Sequence, residues 1–158
     1  LFPLSLLAKL HPVAAMDYFV TSRIFSWFAL KVVGILPIKR TVARGDDNPL
    51  APCNQALGDG QLMIVFPEGS RGEPEQMQSF KGGIARLAES NPTVPVTPVF
   101  LHGLGKALPK GETVLVPFFC DVFVGEPLPW TGDRRSYMRQ LDERMRQLAA
   151  EGNFPAWD

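Results

Sequence analysis

The sequence predicts an α/β fold: a single domain, 1–158, with a mixed, mostly parallel sheet flanked by helices. Three observations predict it. Leu62-Met63-Ile64-Val65-Phe66 is a short apolar run with no alternation, entered from Gly58-Asp59-Gly60, as in a strand buried on both faces. Met77, Phe80, Ile84, Leu87 and Ala88, and again Tyr137, Leu141, Met145 and Leu148, recur at helical spacing. Fifteen prolines and fourteen glycines break the chain into many short segments.

In chain order, Leu1 to Leu10 is apolar with one lysine and reads as the end of a helix. His11 to Met16 reads as a short buried strand, because Pro12 disfavours helical backbone at His11. Asp17 can cap a following helix. From Tyr18 to Val33 that helix carries too many large apolar residues for one narrow stripe. It is either wholly buried or partly laid in a lipid interface, with Arg23 and Lys31 reaching for headgroups. Gly34 ends it. Ile35 to Ile38 is a second strand, and it delivers the basic pair Lys39-Arg40. Taken alone, that pair is either a phosphate clamp or a solvated loop.

Asp46, Asp47 and Asn48 are cap residues for a helix from about Pro49 to Leu57, which Pro52 would shorten. The apolar run Leu62–Phe66 follows, then a helix after Gly72 that Phe80-Lys81-Gly82-Gly83 opens. Val94 to Leu101 is a strand whose Pro95 and Pro98 restrict it to an edge or to unusual pairing. Thr113–Val116 and Phe118–Val124 form a hairpin or a pair of strands that completes the sheet. A last amphipathic helix starts near Asp133.

Composition narrows the function. With 46% hydrophobic and 20% charged residues the chain is globular and not disordered. Sixteen basic residues offset sixteen acidic ones, so no basic excess points to nucleic acid. Cys53 and Cys120 lie far apart and form no metal-binding spacing, which fits reduced cytosolic thiols. No apolar stretch has the length of a spanning helix. Leu1 to Leu10 lacks a charged start and a cleavage site, so no secretory signal is recognised. The first residue is not Met, and residues are expected to precede it.

The chemistry gathers where the apolar run breaks, at Pro67-Glu68-Gly69-Ser70-Arg71-Gly72. Pro67 has no N–H for a ladder, and Gly69 and Gly72 permit backbone that a side chain forbids. Between them stand a carboxylate, a hydroxyl and a guanidinium. A strand ending in such a loop is where an α/β protein places a ligand, and the fork of Arg71 suits a phosphate. The plain alternative is a turn with a weak surface ion pair.

Phe66-Pro67-Glu68-Gly69-Ser70-Arg71 resembles the Phe-Pro-Glu-Gly-Thr-Arg block of the glycerolipid acyltransferases, with Ser70 where threonine is usual. Gly34 to Arg40 resembles the family's Gly-x-x-Phe-x-x-Arg block, with Pro37 for the aromatic. Phe80-Lys81-Gly82 and Val94 to Val99 are similar to later family blocks. The resemblance runs from about His11 to Leu128. It implies transfer of a fatty acyl group from acyl-CoA or acyl carrier protein to a hydroxyl of glycerol phosphate or a lysophospholipid. It implies that Arg40 and Arg71 hold the phosphate, that Glu68, Gly69 and Ser70 shape the acceptor site, and that Lys81 adds charge or is simply exposed. Neither a metal nor an organic cofactor is implied. The partners are the lipid acceptor, the acyl donor and a membrane surface, with the protein cytoplasmic and peripheral to or anchored at the membrane.

Acyl transfer needs a base for the acceptor hydroxyl, and the family supplies it as His-x4-Asp. Here His11 and Asp17 are separated by five residues, not four. The catalytic pair is therefore expected before Leu1, with His11 and Asp17 as a displaced alternative. Two other readings stand beside the enzyme. One is a non-catalytic lipid- or phosphate-binding module. The other is a hydrolase using Ser70, for which the Gly-x-Ser-x-Gly frame is missing.

Overall fold

Proline and register decide how the strands meet. The computed structural model describes residues 4–15, 27–28, 30–38, 48–70, 76–103 and 120–152. The chain packs as two units, Leu1–Phe66 and Pro67–Asp158.

In the first unit, α1 (Leu4–Leu7) precedes β1 (Leu10–Ala15), β2 (Leu36–Ile38), α2 (Ala51–Gly58) and β3 (Leu62–Ile64). The strands form a parallel sheet in the order β2-β1-β3. β1 is central and staggered. Leu10, His11 and Pro12 pair with β3, while Val13, Ala14 and Ala15 pair with β2. Pro12 thus stands where pairing passes from one neighbour to the other, so its missing N–H interrupts little. Pro37 lies on β2, an edge strand, where proline is tolerated. α2 packs against both β2 and β3.

α2 starts at Ala51, not Pro49, as the expected shortening at Pro52 implies; Pro52 sits in the helix's first turn, where its missing N–H had no partner to lose. Asn48 accepts from the backbone N–H of Leu50 at 3.1 Å, but α2 has no side-chain cap bond. The expectation for Leu62–Phe66 needs a larger correction. The strand is three residues long, and Leu62, Ile64 and Phe66 are 36%, 36% and 60% exposed. Leu62 and Ile64 share the exposed face of the strand, while Met63 on the other face is half-buried, and among the described residues β3 pairs only with β1.

Of the Tyr18–Val33 helix, Trp27, Phe28, Leu30 and Lys31 are described and helical; Asp17 and residues 18–26 lie outside the described residues. Trp27, Phe28, Leu30, Val32 and Val33 are all exposed, so the wholly buried alternative does not hold for these positions. Gly34 follows at φ +71°, the left-handed conformation that suits glycine after a helix. Among the described residues no helix is long and apolar enough to cross a membrane.

In the second unit, α3 (Gly83–Ser90), β4 (Val99–His102), β5 (Asp121–Val124) and α4 (Arg134–Glu151) follow one another. α3 starts at Gly83, the last residue of the expected Phe80-Lys81-Gly82-Gly83 opening, so Met77 and Phe80 precede it, and it buries Ile84, Ala85, Leu87 and Ala88. The Gly82-Gly83 pair is a poor helix interior, which explains why the helix does not begin earlier. β4 and β5 form an antiparallel ribbon. The ladder begins at Val99 instead of Val94 because Pro95 and Pro98 cannot donate. Pro98 still accepts from the Gly125 N–H at 2.9 Å, and Val96 bridges to Leu128 on its own. Thr113–Val116 lies outside the described residues.

α4 is the helix its periodicity predicts. The Asp133 carboxylate accepts from the Ser136 N–H at 2.7 Å, and Tyr137, Leu141 and Leu148 are buried. It packs on α3 and on the ribbon. The exposed Arg134–Glu89 ion pair links α4 to α3 and contributes little.

Candidate functional site

The turn Pro67–Ser70 follows β3 in the chain, after the extended pair Val65-Phe66. Gly69 has φ +71°, so the residue read as conformationally special is so. Glu68 is half-buried, while Gly69 and Ser70 are exposed. Lys81 closes the segment from the far side. Its backbone N–H donates to the Pro67 carbonyl at 2.7 Å. Its side-chain stem crosses Gly69, with Cγ 3.4 Å from the position a Cβ would take there. The turn thus carries half-buried Glu68 and exposed Ser70 on backbone turned by a glycine, with the Lys81 stem against that glycine. A turn of this kind can receive an anionic, hydroxyl-bearing ligand. Arg71, like Arg40 and Asp17, lies outside the described residues.

Gly69→Ala is expected to lower stability by about 1 kcal/mol, since the new methyl sits on left-handed backbone, while it meets the Lys81 stem at ordinary contact distance. Gly83→Ala, at a helical position with nothing within 4 Å, is the matched control and is expected to be neutral or stabilising. Thermal denaturation of the two variants side by side checks the contrast.

The parallel sheet of the first unit sends its strands out from one edge. Ala15 leads to Met16-Asp17, Ile38 to Lys39-Arg40, and Ile64 to Val65-Phe66. The carboxyl edge is where open α/β sheets bind ligands. His11, by contrast, is the second residue of β1 and lies toward the amino edge. Its Nδ1 is 2.7 Å from the Gly34 carbonyl oxygen, and its Nε2 is 3.3 Å from the Gln61 side-chain oxygen. Gln61 itself is held by a backbone bond from its N–H to the Ala56 carbonyl at the end of α2. Gln61 carried no signal in the sequence, and Gly34 was legible as a helix end and as the first residue of a family-like block, not as a partner of His11.

Among the described residues, no group of three or more His, Cys, Asp or Glu side chains is placed to hold a metal ion. Cys53 is buried in α2, and burial pushes its thiol pKa up, which keeps it protonated and unreactive at neutral pH.

Comparison with known proteins meets this geometry. The profile of the family described as Acyltransferase matches residues 2–102. The chain is 35% identical over 89 residues to a chloroplastic 1-acyl-sn-glycerol-3-phosphate acyltransferase of Arabidopsis thaliana, covering 56% of this chain and 24% of that one. It is 28% identical over 116 residues to a 1-acyl-sn-glycerol-3-phosphate acyltransferase of Pseudomonas aeruginosa, covering 73% and 41%. It therefore spans less than half the length of these curated relatives. The crystal structure of the 1-acyl-sn-glycerophosphate acyltransferase PlsC from Thermotoga maritima superposes with a TM-score of 0.73 at 21% identity, covering 94% of this chain and 59% of that one. At that identity the match speaks for the fold. With α/β strands, a glycine-turned loop at Pro67–Ser70 and a profile match over most of its length, the chain belongs to the Acyltransferase family.

Proposed function

We propose that the whole protein transfers a fatty acyl group from acyl-CoA or acyl carrier protein to the free hydroxyl of 1-acylglycerol 3-phosphate, a step of phospholipid synthesis. The turn Pro67–Ser70, left-handed at Gly69 and closed by Lys81, is the observation that carries the reading. The names of the relatives support the choice of acceptor. Glu68, Gly69 and Ser70 shape the acceptor site, Arg40 and Arg71 hold the phosphate, and Lys81 adds positive charge.

In the reaction the acceptor oxygen attacks the thioester carbonyl carbon while a base takes its proton. The tetrahedral oxyanion collapses, the C–S bond breaks, and the thiol leaves with a proton. The base and the oxyanion donors supply the catalysis. No metal or organic cofactor is required by this chemistry. Substrate and product are lipids, so the work is done at a membrane surface. The exposed Trp27, Phe28, Leu30, Val32 and Val33 are the proposed contact, with the protein on the cytoplasmic side.

The test is transfer of labelled acyl groups from acyl-CoA to 1-acylglycerol 3-phosphate by the full-length protein and its Arg71→Ala variant. Loss of a charge-assisted phosphate contact is expected to lower kcat/KM for the acceptor by about 10- to 100-fold. If the full-length protein binds lysophospholipids but acylates none of them, the binding-module reading replaces this one.

A further inference from the structure

His11 is the feature of the described residues that the proposed reaction does not absorb. It joins three segments distant in sequence. In the parallel register Val13 faces Leu36, so Gly34 comes opposite His11, and on the other side His11 faces Met63. The imidazole therefore stands between the turn that enters β2 and the residue that enters β3. Both ring nitrogens are engaged, Nδ1 with the Gly34 carbonyl and Nε2 with the Gln61 amide. A carbonyl only accepts, so Nδ1 carries the proton. The Gln61 amide can donate or accept according to how it is turned, so it satisfies Nε2 in either protonation state.

A second observation is independent of these bonds. A Cβ on Gly34 would lie 3.1 Å from His11 Nδ1, and Gly34 has φ +71°. The absence of a side chain at position 34 is what lets the ring reach that carbonyl. Beside it, the Leu62 N–H donates to the Lys9 carbonyl at 2.8 Å, so main chain and side chain close the same junction.

We infer that His11 is a positioning residue that clamps the entries of β2 and β3 to β1. It thereby holds the register of three strands whose opposite ends lead to Asp17, to Lys39-Arg40 and to Phe66. Four residues of strand, roughly 13 Å, separate His11 from the carboxyl end of β1. With its Nε2 held by Gln61 and its ring toward the amino edge, it is not the base. Its effect on catalysis rests on the acyltransferase reading; the clamp itself does not.

The experiment uses the full-length protein with His11→Asn, His11→Phe and Gln61→Leu. Nitrogen-15 NMR of the His11 ring is expected to show the Nδ1–H tautomer. His11→Asn, whose amide nitrogen sits near the place of Nδ1, is expected to keep melting temperature, kcat and the pH–rate profile close to the parent. His11→Phe leaves the Gly34 carbonyl unpaired; it is expected to lower the melting temperature and raise KM for the acceptor several-fold, with kcat changed little. Gln61→Leu is expected to show a smaller shift of the same kind. The inference is overturned if His11→Asn loses about 100-fold or more in kcat at unchanged melting temperature, with the limb of the pH profile gone, as for a general base. It is equally overturned if the ring carries its proton on Nε2, or if His11→Phe leaves both melting temperature and KM unmoved. A parent protein with no acyl transfer at all sinks the functional reading instead, while the NMR and melting measurements still judge the clamp.

Discussion

Tyr137→Ala is expected to destabilise the second unit by about 3–5 kcal/mol, the cost of removing a large aromatic side chain from a packed core. Tyr137 has no exposed surface, and its ring packs against Trp130 with centroids 5.3 Å apart and planes tilted by 48°. It lies in the first turn of α4, where its N–H bonds the Asp133 carbonyl at 2.9 Å. The same site makes the opposite prediction for a smaller change. The Tyr137 hydroxyl is buried and has no hydrogen-bond partner among the described residues. Tyr137→Phe keeps the ring and removes the unpaired group, so it is expected to raise stability by about 1 kcal/mol or more.

The two variants also separate in alkali. Burial pushes the Tyr137 phenol pKa up from its ordinary value. The folded state then keeps a proton that the unfolded state loses, so this contribution to stability is intact below the ordinary phenol range and falls as pH rises through it. Urea denaturation across that range is expected to show the alkaline loss in the parent and less of it in Tyr137→Phe. A Phe variant less stable than the parent at neutral pH would show that the hydroxyl has a partner after all.

Gly34→Ala is expected to cost about 2 kcal/mol. Roughly 1 kcal/mol comes from a side chain on left-handed backbone, and a similar amount from weakening a partly buried hydrogen bond. The new Cβ would meet the imidazole at 3.1 Å, which is ring and not the loose end of a flexible chain. Gly60→Ala carries the same backbone strain at φ +71° with nothing within 4 Å. The difference between their denaturation midpoints therefore isolates the contact with His11. Equal losses in both variants would leave the backbone as the whole cause and the imidazole as a bystander.

The two cases mark how far local pattern reached. α4 was legible from its start near Asp133, because the spacing of Tyr137, Leu141 and Leu148 acts within a turn or two. Pro95 and Pro98 announced irregular pairing, and the ladder indeed starts only at Val99. Gly69 announced a special backbone, and it has one. The apolar run Leu62–Phe66 misled, because apolarity along a strand does not say whether the strand has one neighbour or two. The Phe80–Gly83 opening was legible: the helix starts at its last residue, and the buried face beyond it is the one the spacing marks. Of the site, the Pro67–Ser70 turn was visible, whereas Lys81 showed its tie to Pro67 only in three dimensions.

By itself, then, the sequence determined the α/β class, the last two helices, the Pro67–Ser70 turn and the motif that marks the family. All of these rest on forces acting over a few residues: capping, ring constraint, glycine freedom and periodic burial. The tertiary structure alone decided which strand is central, where pairing passes across Pro12, and what His11 does. His11 meets partners 23 and 50 positions away. Such a meeting depends on strand order and register, set by how whole elements pack together, and no local rule encodes it.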